Sequence, residues 1–252
     1  MAAPENGGEA GVRQNSLLDG RLELWQPEHG YRSAIDPVLL AAAVAAAPGD
    51  RVLDVGTGVG TAALCLALRQ PECQISGLEI QPDLAALARR NAEGNGCGER
   101  FVVLVGDLAE PPAGLDPGFD HVMANPPHQA VARGPASPYP GKALANREGA
   151  SGLADWLDFC LTMAAPGGSV TMIHRADRLD EVLAGLTGRA GAVVVIPLWP
   201  KAGEAAKRVV VQARKGAKTP LRLTPGVVLH EADGSATAAA QALLRDAAAL
   251  VA

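Results

Sequence analysis

Two consecutive prolines, Pro126 and Pro127, follow the apolar run Val122-Met123-Ala124 and a single asparagine, Asn125. Proline cannot donate to a sheet ladder and cannot continue a helix, so a strand over this run must stop here. Asn125 is thereby held at the carboxyl end of a strand with a rigid turn behind it. In an open α/β sheet that end is where ligands bind. A carboxamide offers one acceptor oxygen and two donor hydrogens. Asn125-Pro126-Pro127-His128 therefore suits gripping an exocyclic amino group and turning its lone pair toward an electrophile.

A site for the electrophile is readable upstream. Arg51-Val52-Leu53-Asp54-Val55 reads as a short strand, Gly56-Thr57-Gly58-Val59-Gly60 follows at once, and Thr61 to Leu68 reads as a buried helix. Strand, glycine turn and helix form a nucleotide-cofactor unit, because glycines let the backbone approach a ligand closely. Read as Gly58-x-Gly60-x-x-Ala63 it is a loose dinucleotide fingerprint. The remaining strand ends argue for a different cofactor. Asp54 precedes the glycines. Glu79 ends the strand Ile75 to Leu78 and can accept from both hydroxyls of a ribose. Asp107 follows the strand Phe101 to Val105 and can accept from an adenine amino group. Acidic or amide groups at four successive strand ends suit S-adenosylmethionine, a cation with ribose and adenine and no pyrophosphate.

With these residues the chain resembles the class I methyltransferases, and among them the amino-methylating enzymes with an Asn/Asp-Pro-Pro-aromatic tetrad. Gln26 to Leu40, with Gly30-Tyr31-Arg32-Ser33 and Asp36-Pro37-Val38-Leu39-Leu40, is similar to the N-terminal segment of the valine-tRNA adenine-N6 methyltransferase family. So are Pro197-Leu198-Trp199-Pro200-Lys201 and Ala206 to Val211. The resemblance spans residues 20 to 250. It implies a Rossmann-like α/β fold with a mostly parallel seven-stranded sheet and helices on both faces. It also implies that Asp54, Gly56 and Gly58 flank the methionine part of S-adenosylmethionine, Glu79 its ribose and Asp107 its adenine. Asn125 borders the same pocket. Catalysis falls to Asn125, the carbonyl of Pro126 and His128, acting on adenine N6 in the anticodon region of a valine tRNA. His128 departs from the family's usual Tyr, Phe or Trp and offers a smaller stacking face. That keeps a glutamine side chain of a translation factor, or guanine N2 of ribosomal RNA, open as acceptors. A non-catalytic RNA- or protein-binding module on a relict cofactor fold is a further alternative.

Each motif has a plainer meaning. Asp54 and its glycines also fit a tight strand-to-helix turn, Glu79 a solvated strand end, and Gly106-Asp107 an ordinary turn. His128 also fits a surface loop. The run Lys201 to Arg222 has seven basic residues (Lys201, Lys207, Arg208, Arg214, Lys215, Lys218 and Arg222) against Glu204. Such a run is either a solvated face or an edge that contacts RNA phosphates, and Arg133, Lys142 and Arg147 would extend it toward Asn125. A net charge of −5 argues against coating nucleic acid by bulk charge. Trp199 reads as a stacking platform or an edge-strand anchor, and His174 and His230 as structural.

The chain is expected to be one methyltransferase domain over residues 16–252 behind a disordered tail over residues 1–15. Leu17 to Gln26 should hold a strand pair turning at Asp19-Gly20. Asp36 should cap a helix running through Ala47, Leu221 to Leu229 should add one strand, and Ala236 to Val251 should form a closing helix. The four cysteines have no C-x-x-C spacing, so neither a metal site nor a disulfide framework is expected. With no charge-free apolar run near 18 residues and no signal peptide, the expectation is a cytoplasmic protein.

Overall fold

The computed structural model describes residues 11–28, 35–127 and 151–250. In chain order the elements are β1 (Val12–Leu17), β2 (Leu22–Pro27), α1 (Asp36–Ala43), β3 (Arg51–Val55), α2 (Thr61–Arg69), β4 (Gln74–Glu79), α3 (Pro82–Gly94), β5 (Phe101–Val105) and β6 (Phe119–Ala124). Then come α4 (Leu153–Met163), β7 (Ala164–Arg175), α5 (Leu179–Leu186), β8 (Ala190–Lys201), β9 (Arg208–Lys215), β10 (Arg222–Leu223), β11 (Val227–His230) and α6 (Ala238–Leu244).

The nine-stranded sheet runs β10-β8-β9-β7-β6-β3-β4-β5, with β11 also on β8. Strands β7, β6, β3, β4 and β5 are mutually parallel, and β9 runs antiparallel to both of its neighbours. The expected seven strands are thus β3 to β9. The short β10 and β11 are additions that pair parallel to β8. They replace the single strand expected over Leu221 to Leu229. The break falls at Gly226, whose φ is +78° and where a Cβ would lie 2.1 Å from the Pro197 carbonyl oxygen.

The chain steps outward from β3 to β4 to β5, then returns to place β6 on the other side of β3. The strand order therefore reverses between β3 and β6, and the crevice outside their carboxyl ends is the ligand-binding position of such a sheet. Both faces of the central strands are covered, so Val52-Leu53 of β3 and Val122-Met123-Ala124 of β6 are apolar without alternation. On one face Leu39, Leu40, Leu64, Leu66 and Ala88 pack beneath α1, α2 and α3. On the other, Leu157, Leu161 and Val182 pack beneath α4 and α5.

Several boundaries differ from the sequence expectation. Strand β1 begins at Val12 and pairs with β2 from Val12↔Pro27 onward, so Val12 to Asn15 belong to a hairpin rather than to a tail. Asp36 is the first residue of α1, not its cap; Ile35 holds the N-cap position without a side-chain bond. The Asp36 carboxylate instead pairs with Arg208 at 2.8 Å. Helix α1 ends at Ala43, not Ala47, because side chains from elsewhere take its last carbonyls. Arg69 donates to Ala41 O at 2.7 Å and Val44 O at 2.6 Å, and Gln212 donates to Ala43 O. The closing helix stops at Leu244. There the Ala248 N–H turns back to the Ala242 carbonyl at 3.0 Å, around Ala247 with φ +55°. Alanine is a strong helix former, so nothing in its composition marks this stop.

Among the described residues no helix is long and apolar enough to cross a membrane. Cys65, Cys73, Cys97 and Cys160 are all free and buried.

Candidate functional site

Four strand ends converge on the crevice. Val55 of β3 pairs with Ala124 of β6, so the next residues, Gly56 and Asn125, leave the sheet side by side. On the other flank Val55 pairs with Leu78, which brings Glu79 beside the glycine loop. Glu79 in turn pairs with Val105, and Asp107 follows two residues later.

The glycines serve different purposes. Gly56, Gly58 and Gly60 all have positive φ, at +68°, +59° and +88°. A Cβ on Gly60 would lie 2.9 Å from the Phe101 ring, and one on Gly56 would lie 2.5 Å from the Trp156 ring. A Cβ on Gly58 would meet nothing within 4 Å. Gly56 and Gly60 are therefore small because protein packs against them, whereas Gly58 leaves its backbone bare toward open space. The Gly56 and Thr57 N–H groups both donate to Leu78 O, at 2.8 and 3.0 Å, so the start of the loop is tied to β4.

Two carboxylates are buried beneath this loop. Asp54 is 3% exposed and accepts from the Thr57 hydroxyl at 2.6 Å. Burial pushes its pKa up to about 7 from 3.8; the Thr57 bond and the Ala63 backbone oppose the rise, and the Glu79 charge adds to it. Glu79 is 5% exposed, and burial raises its pKa too, against the backbone N–H groups of Gln81, Gly58 and Ile80 and the Gln81 side chain. Gly58 N–H reaches its Oε2 at 2.8 Å and Gln81 N–H its Oε1 at 2.9 Å. Asp107 is half-buried and accepts from Ala109 N–H at 2.9 Å, which fixes the turn after β5. The Cys65 and Cys160 thiols are held at about 12, chiefly by burial and then by the Asp54 charge, so both are neutral.

Asn125 leaves β6 beside Gly56, on the flank of β3 away from Glu79. Its Oδ1 is buried and has no hydrogen-bond partner among the described residues. A buried amide oxygen without a partner costs roughly 1–3 kcal/mol, an arrangement that persists where a ligand supplies the missing donor. Pro126 behind it is buried and Pro127 half-buried. His128 lies outside the described residues, as do Gly30 to Ser33 and Arg133, Lys142 and Arg147.

Three neighbours of the crevice carry no signal that sequence reasoning picks up. Thr57 is the middle residue of a Gly-x-Gly turn, a position open to most side chains. Ile80 directly follows Glu79 and is 51% exposed, an apolar surface at a strand end. Trp156 lies on α4, and its place over Gly56 depends on packing between elements far apart in sequence.

The basic run does not form one surface. Arg208 pairs with Arg175 at the carboxyl end of β7, whereas Arg214 pairs with Ser169, which is level with His121 near the amino end of β6. An eight-residue strand spans about 24 Å. Lys201, Lys207 and Arg208 therefore lie on the crevice side, and Arg214, Lys215 and Lys218 on the far side. Several also have internal partners. Lys215 donates to Ala164 O at 2.7 Å, Arg214 to Gly167 O at 3.2 Å, and Lys201 to Ala232 O at 2.9 Å. Trp199 is an anchor, its indole N–H on Pro225 O at 2.9 Å.

Residues 35–135 match the methyltransferase small domain family. The chain is 31% identical over 203 residues to the tRNA1(Val) (adenine(37)-N6)-methyltransferase of Aeromonas hydrophila, covering 79% of this chain and 83% of the relative. It is 33% identical over 171 residues to the release factor glutamine methyltransferase of Geobacter sulfurreducens, covering 66% of this chain and 57% of that protein. Among solved structures, a predicted O-methyltransferase from Agrobacterium tumefaciens superposes with a TM-score of 0.71 at 27% identity, over 85% of this chain and 97% of the other.

Proposed function

The chain belongs to the methyltransferase family represented by the tRNA1(Val) (adenine(37)-N6)-methyltransferases, and from that membership we propose that it methylates the exocyclic N6 amine of an adenine in the anticodon region of a tRNA. The observation that carries the reading is the buried, unpartnered Oδ1 of Asn125 beside the glycine loop. It is an acceptor awaiting an N–H donor at the switch point of the sheet, which fits an amine acceptor and would go unused by a hydroxyl acceptor that has already lost its proton.

The residues of the crevice fit S-adenosylmethionine, which supplies an electrophilic methyl group when bound. Asp54 and the bare backbone at Gly58 would border its methionine part, with Gly56 closing the loop against the protein. Glu79 would accept from the ribose hydroxyls. Asp107 and the exposed side chain of Ile80 would offer the adenine an acceptor and an apolar face.

The adenine amine is a weak nucleophile because its lone pair is delocalised into the ring. A base must leave its stack to enter such a crevice. Asn125 Oδ1 would accept one N–H of the amine and the Pro126 carbonyl the other, which favours a pyramidal nitrogen with its lone pair directed away from both. The rate gain then comes from positioning and from stabilising the charge that develops on the amine. His128 would border the base.

The likeness to a glutamine methyltransferase supports a second acceptor of the same chemistry, a side-chain amide, which asks the same of Asn125. For RNA, the division of the basic run favours Lys201 and Lys207 as phosphate contacts, with Arg208 engaged by Asp36. Incubation with methyl-labelled S-adenosylmethionine, total RNA and total protein, followed by mapping of the labelled atom, tests the proposal. Label on adenine N6 of a tRNA supports it. Label on a protein amide would replace the substrate, and label on an oxygen would overturn the role of Asn125.

A further inference from the structure

Two aromatic rings pack on the glycine loop, Phe101 on Gly60 and Trp156 on Gly56, and the proposed chemistry gives Trp156, the one beside Asn125's strand neighbour, no part. It is half-buried on α4, the helix that packs against β6 on the face opposite α2. Its Cη2, Cζ3 and Cζ2 atoms lie 2.5, 3.0 and 3.7 Å from the position a Cβ would take on Gly56. The benzo edge of the indole is therefore seated on the bare α-carbon of Gly56. Gly56 and Asn125 leave neighbouring parallel strands in register, so roughly one strand spacing, about 5 Å, separates the residue Trp156 covers from the Asn125 backbone.

Packing alone does not require this arrangement. An aliphatic residue at position 156 would fill the α4 face of the core, as Leu153, Leu157 and Leu161 do on the same helix. A large ring set at the strand ends, packed on the core and admitted by a glycine of the loop, places an aromatic group beside the crevice. An aromatic face attracts a cation, and the attraction vanishes when the charge is removed.

We infer that Trp156 is a positioning residue of the methyl-transfer site: its indole walls the crevice between Gly56 and Asn125, and a cationic sulfonium cofactor rests against it in preference to the neutral thioether product. This rests on the methyltransferase reading but not on which acceptor is methylated. It also separates substrate from product. The positive charge leaves the sulfur with the methyl group and departs from the methylated acceptor as a proton, so the spent cofactor is neutral at sulfur and held less tightly.

The test needs only the apo protein and three ligands: S-adenosylmethionine, its cationic amine analogue sinefungin, and neutral S-adenosylhomocysteine. Calorimetry on wild type, Trp156→Phe and Trp156→Leu should show both cationic ligands weakened by about tenfold in Trp156→Leu, with Trp156→Phe close to wild type. S-adenosylhomocysteine should change little in either variant. Equal weakening of all three ligands would make Trp156 a packing residue and overturn the inference, as would no change in any of them. A second measurement covers the case in which Trp156→Leu fails to fold. The chain has three tryptophans. With Trp25→Phe and Trp199→Phe, the remaining indole should change its emission when S-adenosylmethionine is added, and change it less with S-adenosylhomocysteine. Emission unmoved by saturating ligand would also overturn it. Loss of all cofactor binding in the wild type would end both readings. Cofactor binding with label on an unexpected acceptor would end only the adenine proposal.

Discussion

The side chain of Asn91 pairs with both backbone polar groups of Trp25: its Oδ1 accepts from the Trp25 N–H at 2.7 Å and its Nδ2 donates to the Trp25 carbonyl at 2.9 Å. One helical turn later Asn95 does the same with Glu23, at 3.0 and 2.7 Å. Four helical residues rise about 6 Å and two strand residues about 6.8 Å, so asparagines at i and i+4 act as a strand for β2 to pair with. Asn91 also donates to Val59 O at 2.9 Å, inside the glycine loop. One buried amide thus joins the hairpin, α3 and the floor of the crevice.

Asn91→Ala should therefore cost more than an ordinary surface change. It strands the Trp25 N–H and two carbonyls, and the loss should be about 2–4 kcal/mol, read as a lower denaturation midpoint with an unchanged slope. Asn95→Ala, at a half-buried position, should cost about 1 kcal/mol or less. Equal losses in the two variants would mean that the tie to Val59 adds nothing.

Asp54 should make the apo protein sensitive to pH. Its folded pKa is raised to about 7 from 3.8, so between those values the folded chain holds a proton that the unfolded chain has released. The associated stability is fully present below 3.8 and is lost as pH rises toward 7. Glu79 is shifted in the same direction and adds to the trend. Asp54→Asn should flatten the dependence and raise the apo melting temperature at about pH 8. A cationic ligand favours the ionised form, so wild-type affinity for S-adenosylmethionine should fall as pH drops below about 7, by at most about tenfold per unit. A variant that binds as tightly as wild type and keeps the same pH profile would remove Asp54 from the pocket.

The glycines can be told apart by measurement. Gly58→Ala meets open space, so its stability cost is the strain of a positive φ, about 1 kcal/mol, while cofactor affinity should fall sharply. Gly56→Ala drives a methyl group into the Trp156 ring and should lower stability and affinity together. If Gly58→Ala unfolds the protein and leaves the ligand affinity of any folded fraction intact, the open space does not face a ligand.

Much of this is legible in the sequence because its signals are local. Glycines after an acid, and two prolines after an apolar run, each force a chain event within a few residues, and the structure has both at adjacent strand ends. Alternating strand and helix likewise mark the parallel core of the sheet. What escapes depends on contacts across the fold. Arg69 and Gln212 end α1 through its carbonyls, and Trp156 reaches Gly56 from a helix that begins almost a hundred residues later. The basic run misleads because proximity in sequence is not proximity in space: a strand carries its two ends to opposite sides of the sheet.

Asn125→Ala should lower the turnover rate far more than cofactor affinity, because its oxygen is proposed to engage the amine as it pyramidalises. A loss of roughly 100-fold in kcat with S-adenosylmethionine affinity near wild type is the expected pattern. Near-normal turnover would refute the acceptor geometry.

The division of the basic run makes RNA binding depend on which side of the sheet carries the cation. Removing one cation that neutralises a phosphate should reduce the slope of log affinity against log salt by about one unit or slightly less. If RNA meets the crevice side of the sheet, Lys201→Gln with Lys207→Gln should weaken RNA binding and flatten that slope. Arg214→Gln with Lys218→Gln, about 24 Å away along β9, should do neither. Cofactor affinity should hold in both double variants, since none of the four side chains borders the glycine loop. The reverse pattern would place the RNA across the amino ends of the strands, from which a base could not reach Asn125. Equal effects would mean a substrate that wraps the sheet edge. No salt-dependent RNA binding in any of the proteins, together with label on a protein fraction, would replace the tRNA with a side-chain amide and leave the methyltransferase chemistry in place.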